Sequence, residues 1–337
     1  MEHPGGTMAT DVREAEEPSQ DRSRGREATK PREIPVRGWF DVLKRTRRGI
    51  RDSHLSIVAA GVAFYAFLAL VPALIAVVAI YGLVANPSDV EEQITSFTDA
   101  LPTEAQDLVS SQLSSITGNA GSGTGMAAVI AIGGALWIAS SGLAALNTGL
   151  TIANRESETR GAIKRRALAL VFTIFAVIGV LLMLGLVVAL PSVLDSIGIT
   201  GAGATALELL RWPLLAAILF FGLAVIFRYG PQRRRPRWRW VVPGAILAVI
   251  IGLAASVGFS IYVDLLGNYN ETYGALGAII IMLLWLYLMA FAALFGAAMN
   301  AEIERQTTHD TTVGDDAPMG RRGANAADTV GPTRGEL

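Results

Sequence analysis

The sequence predicts an all-α, polytopic membrane protein with six spans and both termini cytoplasmic. Three observations lead there. Six apolar stretches are each long enough to cross about 30 Å of hydrocarbon at 1.5 Å per residue. The chain is 52% apolar and 17% charged with a mean hydropathy of +0.44, whereas soluble domains carry roughly 25% charged residues. Lysine and arginine crowd every second connection between the apolar stretches, the bias that orients helices in a bilayer.

Residues 1–36 are polar and rich in charge, Gly and Pro, which predicts a disordered cytoplasmic tail and no secretory leader. VRGWFDVLKRTRRGIRDSH (36–54) sets Val36, Trp39, Phe40 and Leu43 beside a basic face, as an interfacial amphipathic helix does. The first span covers 55–84, with Pro72 inside it as a kink. In the following connection Val90, Ile94, Phe97 and Leu101 recur at helical spacing, as do Val109, Leu113 and Ile116. These predict short amphipathic helices on the outer side. The remaining spans fall at about 124–152, 167–190, 207–227, 241–266 and 273–299. All six must be helical, because an open strand leaves its backbone unpaired in lipid. Residues 307–337 match the first 36 in composition and predict a second disordered cytoplasmic tail. The membrane domain is then 37–306.

Residues 37–51 hold six Lys and Arg, 153–166 hold five and 228–239 hold six, while 85–123, 191–206 and 267–272 hold none. Arg211 alone lies in or beyond a span on the other side. The stretch RYGPQRRRPRWRWVVPG (228–244) interleaves arginine with tryptophan and on composition alone suits nucleic acid. Its place in the alternation makes it a cytoplasmic loop instead. Net charge is −1, so no overall field draws the chain to nucleic acid, and membrane lipids are the expected partner. Arg233, Arg234, Arg235 and Trp238 are candidate contacts for lipid headgroups, at about 1 kcal/mol per basic residue near the surface.

Catalytic material is sparse. There is no cysteine, and the three histidines are His3, His54 and His309. No HExxH, Walker loop, GxSxG or CxxC occurs. No catalytic residue, metal site or cofactor is predicted. Polar groups inside the spans carry more information, since lipid gives them no partner. Tyr65, Ser140, Ser141, Asn147, Ser256, Ser260, Asp264 and Asn300 are the candidates. One reading makes them interhelical packing and hydrogen-bonding sites; the other lets several converge on a path for a polar group. Asp264 is the acidic group near a span end that could take a proton. Tyr262, Asn268, Tyr269, Asn270 and Tyr273 form a candidate outer mouth, which an ordinary interfacial turn also explains.

LSIVAAGVAFYAFLALVPALIAVVAIYGL, ALWIASSGLAALNTGL, FRYGPQRRRPRWRWVVPGA and YNETYGALGAIIIMLLWLYLMAFAALFGAAMNAEIER together resemble the YihY/BrkB family of bacterial inner-membrane proteins, over about 37–306. The resemblance implies a six-helix membrane fold with both ends inside and supplies no catalytic residues to carry over. Some members bear a tRNA-processing ribonuclease label and others a virulence or serum-resistance label. The long tails depart from compact members.

The expectation is a multi-pass protein of the bacterial inner (plasma) membrane, carrying or flipping a lipid or small polar solute. A non-transporting envelope scaffold is the alternative, and a membrane-tethered ribonuclease is a third. Substrate, energy source and oligomeric state are not legible.

Overall fold

The computed structural model describes residues 24–84, 124–189, 202–265 and 275–333. Seven long helices make up most of it. Helix α1 (Val36–Asp52) is followed after Ser53 and His54 by α2 (Leu55–Val84). Then come α3 (Thr124–Ala153), α4 (Ala162–Leu184, continued by a π-helical turn at Gly185–Ala189) and α5 (Ala202–Tyr229). Helices α6 (Trp238–Leu265) and α7 (Ala275–Glu304) complete the bundle, and a single turn, α8 (Asn325–Asp328), lies near the C-terminal end. Helices α2 to α7 each contain a segment long and apolar enough to cross a membrane. The expected amphipathic helices at 90–116 lie outside the described residues.

The six spans pack as a closed ring, α2–α3–α4–α5–α6–α7–α2, with α7 also touching α3. Small residues set the spacing. Between α6 and α7, a Cβ on Gly244 would run into the Gly296 carbonyl, and one on Gly296 into that of Gly244. Between α2 and α3, a Cβ on Gly142 would stand 3.2 Å from Ala66 Cα. With no solvent to drive apolar faces together, close backbone approach and dispersion supply the packing energy. The core is accordingly rich in alanine: Ala59, Ala224, Ala245, Ala248, Ala293 and Ala297 are buried around Leu55, Leu150 and Leu294. Large apolar side chains such as Phe175, Phe221, Ile250 and Val257 point outward, the reverse of a soluble core and what a lipid-facing surface needs.

Both described ends meet at the basic end of the bundle, as an even number of spans requires. Thr308 N–H donates to the Arg26 carbonyl at 2.8 Å, and Gly331 N–H to that of Arg305 at 2.9 Å. The 230–237 loop joins them, with Arg237 N–H on Thr311 O and Arg234 N–H on Gly323 O. This corrects part of the expectation of disordered tails at 1–36 and 307–337: residues 24–36 and 307–333 are folded onto the bundle, while 1–23 and 334–337 lie outside the described residues. Composition misleads because the segments are ordered by polar contacts. Gln306, Thr311 and Thr312 are buried with hydrogen-bonded side chains, whereas the compositional rule counts only apolar surface.

Candidate functional site

Helix α3 carries a polar seam along its inner side. Ser140, Asn147, Thr151 and Asn154 follow one another at steps of seven, four and three, and all are buried. A helix of 3.6 residues per turn places such positions on one face. Most of the seam satisfies itself. Ser140 Oγ donates to Trp137 O at 2.7 Å, Thr151 Oγ1 to Asn147 O at 2.9 Å and Asn154 Nδ2 to Leu150 O at 2.8 Å. Hydroxyls bonded back to their own helix ask for no further partner. Ser141 and Thr148 do the same, to Ile138 O and Ala144 O.

Asn147 is different. Its residue exposure is 1%, yet Oδ1 and Nδ2 both lack a hydrogen-bond partner among the described residues. A Cβ on Gly230 would lie 2.7 Å from Oδ1, so the amide faces the end of α5 where glycine leaves room. Leaving buried polar atoms unpaired costs about 1–3 kcal/mol each. Such groups mark strain, the seat of an ordered water or ion, or a functional polar partner.

The seam ends on buried ion pairs at the basic end. Arg233 donates to Asn154 Oδ1 at 3.0 Å and, through both terminal nitrogens, to Glu304 at 3.0 and 2.5 Å. Both side chains of this pair are 2% exposed. Thr311 Oγ1 donates to the same carboxylate at 2.7 Å. Beside it, Glu302 takes Arg45, Arg155 and Arg305 at 2.9, 2.8 and 2.9 Å. Arg45 is held further by Gln306 Oε1 and by the carbonyls of Glu302 and Pro332. Burial draws its guanidinium below the usual arginine range, against the raising effect of Glu302. Glu156, bonded by Asn325 N–H at 2.6 Å, is pushed above the ordinary carboxylate range by burial. Asp310 goes the other way. Burial opposes its ionisation, but hydrogen bonds from Ala317 and Thr312 hold the carboxyl below its ordinary value.

The other sequence candidates scatter. Asn300 is buried and fully employed: Oδ1 accepts from Gly244 N–H at 2.7 Å and Nδ2 donates to Val241 O at 2.9 Å, locking α6 to α7. Ser256 accepts from Trp285 Nε1 at 3.2 Å across the same pair. Tyr65 is 48% exposed and packs edge-on against Phe64, and Tyr262 is exposed and stacked on Phe259. Ser260 is exposed as well. These three face the bundle's outer surface, not the seam, so Tyr65 and Ser260 do not join Asn147. Asp264 falls within α6, but its side chain lies outside the described residues, as do Asn268, Tyr269, Asn270 and Tyr273.

The proposed headgroup residues separate too. Arg233 is spent on Glu304, which corrects its assignment to lipid. Arg234 donates to Val313 O at 3.0 Å. Arg235 lies 4.9 Å over the Tyr229 ring, while Trp238 stacks on Phe221 beneath Arg228. Those last two belong to a cluster of cation–aromatic contacts at the basic end of the bundle. Sequence reasoning missed Glu302 and Glu304 altogether. Two acids ending the final apolar stretch, opposite three arginine-rich connections, were the available signal.

A polar seam inside six apolar helices, closed by arginines paired to acids at the end of the last span, is membrane architecture, and comparison with known proteins agrees. The sequence profile of virulence factor BrkB matches residues 46–319. The chain belongs to that family. A Bacillus subtilis relative named as ribonuclease-like, YfkH, is 30% identical over 257 residues, covering 74% of this chain and 90% of that protein. A UPF0761 membrane protein of Pseudoalteromonas translucida is 27% identical over 289 residues, covering 81% and 88%. A UPF0761 membrane protein of Xanthomonas oryzae is 38% identical over 87 residues, covering 26% and 20%. No solved structure matches. Within the BrkB family match lie α2 to α7 and residues 307–319 of the ordered C-terminal segment, so Glu302, Glu304, Arg155, Arg233 and Arg305 fall in the matched region, while Arg45 lies just before it.

Proposed function

We propose that the chain carries a lipid headgroup or small polar solute across the bilayer, with the α3 seam as its path and no chemistry performed on the cargo. One observation carries this reading: Asn147 keeps an unpaired amide inside the bundle, an arrangement packing alone does not need. A passing headgroup or solute would supply the missing hydrogen bonds transiently. The positive-inside rule puts the basic end in the cytoplasm, so the ion pairs of Glu302 and Glu304 close the inner side of the path. A lipid is the preferred cargo, because its acyl chains remain in the bilayer while only the headgroup needs the seam.

Purified protein in liposomes tests the proposal, with fluorescent phospholipid and small-anion movement measured across the bilayer. Acceleration over protein-free liposomes, reduced about tenfold by Asn147→Leu, is the expected result. If neither cargo moves faster than without protein, the carrier reading fails.

The interlocked ends favour a second reading, a scaffold that presents a rigid polar face to envelope partners. Deleting 307–337 cannot separate the two, since it strips Arg45 and Arg26 of the Pro332 and Gly331 carbonyls. A cell-envelope phenotype that survives in an Asn147→Leu variant devoid of transport would favour the scaffold. The name of the Bacillus relative supplies the third reading. Cleavage of RNA by the purified chain, lost on changing a named acidic residue, would establish it.

A further inference from the structure

Helix α1 has two faces of opposite chemistry. At about 100° per residue, Gly38, Asp41, Val42, Arg45 and Thr46 fall on one side, and all five are buried. Val36, Phe40 and Leu43 line the other, 71%, 57% and 50% exposed. Arg47 and Arg51 continue that same line through the last turns, with Arg37 beside it. All three arginines are exposed, and none has an ion pair among the described residues. No acid interrupts the line: Asp41 is turned inward onto Arg24 at 2.8 Å, and Asp52 lies toward the opposite side by helical phase.

Position matters as much as composition. Only Ser53 and His54 separate α1 from α2, whose Ile57 is already 71% exposed on the apolar surface. Helix α1 therefore sits at the depth where the first span leaves the hydrocarbon. Its buried face fixes it there, since Arg45 reaches Glu302 at the end of α7. A helix so held presents its apolar first half to the acyl boundary and its cationic second half to headgroups.

We propose that this outer face of α1 is a docking surface for anionic phospholipid. Its line of unpaired arginines fits a negatively charged bilayer surface, and its exposed Val36, Phe40 and Leu43 continue the lipid-facing surface of the spans. A second copy of the chain would bring arginine against arginine. The inference is independent of the carrier reading, because it concerns the surface of the bundle and not the seam.

Amide exchange over 36–52 decides it, measured on the full chain in nanodiscs of phosphatidylcholine with and without phosphatidylglycerol. Exchange slows about tenfold or more in the anionic discs, and added salt reverses the effect. An Arg37→Gln, Arg47→Gln, Arg51→Gln triple variant keeps the phosphatidylcholine rate and loses the difference; these side chains are exposed, so the fold survives. Equal exchange in both lipids overturns the proposal, as does a lipid difference that persists in the triple variant. Slowing that occurs only when discs hold two copies assigns the face to self-contact and overturns it too.

Discussion

Removing the charge of Glu304 tests the basic-end closure most sharply. Its carboxylate, 2% exposed, accepts two hydrogen bonds from an equally buried Arg233 and one from Thr311. Glu304→Met leaves the guanidinium buried with Asn154 as its remaining side-chain acceptor. Breaking a buried pair from one side costs about 3–5 kcal/mol, because the surviving charge stays desolvated. At roughly 2–4 °C per kcal/mol for a domain of comparable size, the apparent Tm in detergent should fall by roughly 6–20 °C. Arg233→Met should do similar damage. The double variant Arg233→Met, Glu304→Met replaces both charges with apolar bulk and should recover most of the loss, giving a coupling well outside additivity. Thermal unfolding followed by intrinsic fluorescence and by retention of the monodisperse peak measures all four proteins. A single-variant Tm within a degree of the parent, or a double variant as unstable as the sum, would refute the buried-pair account.

Asn147→Leu replaces two unpaired polar atoms with a side chain of the same branching, so Tm should hold or rise while transport falls; a drop in both would reduce Asn147 to a packing residue. Gly296→Ala would drive a methyl into the Gly244 carbonyl and should lower Tm by an amount corresponding to about 1–3 kcal/mol, read in the same unfolding assay. Glu156 has a folded pKa raised by burial, so its ionised form opposes folding above that pKa, and the opposition is relieved as pH falls through it. Glu156→Gln keeps an acceptor for Asn325 N–H and should raise Tm at neutral pH while flattening its rise on mild acidification. An unchanged pH profile would remove Glu156 from the account.

The spans were legible because lipid demands long apolar runs and leaves few alternatives. Helix α2 occupies the predicted 55–84 residue for residue. Elsewhere the helices overrun the hydrophobic stretch. Helix α4 begins at Ala162, five residues before the expected 167, since Lys164, Arg165 and Arg166 can extend it outside hydrocarbon. Helix α7 runs on through Glu302 to Glu304 for the same reason. The seam was half legible: Ser140 and Asn147 stood out as polar residues in an apolar run, but which of them lacked a partner needed coordinates. The basic-end closure was not legible. Arg233 and Glu304 are 71 positions apart, and nothing local to either shows that a loop arginine turns inward. The ordered C-terminal segment escaped for a related reason, being held by backbone carbonyls that every sequence possesses.

Cysteine accessibility at the centre of the seam tests most directly whether it admits polar groups. The chain has no cysteine, so Asn147→Cys gives a single reactive site without background, and Leu150→Cys supplies a control at an equally buried apolar position. In sealed liposomes, a small hydrophilic thiol reagent should modify the cysteine at 147 and spare the one at 150. Both sites inert, or both modified at one rate, would contradict a polar path along α3.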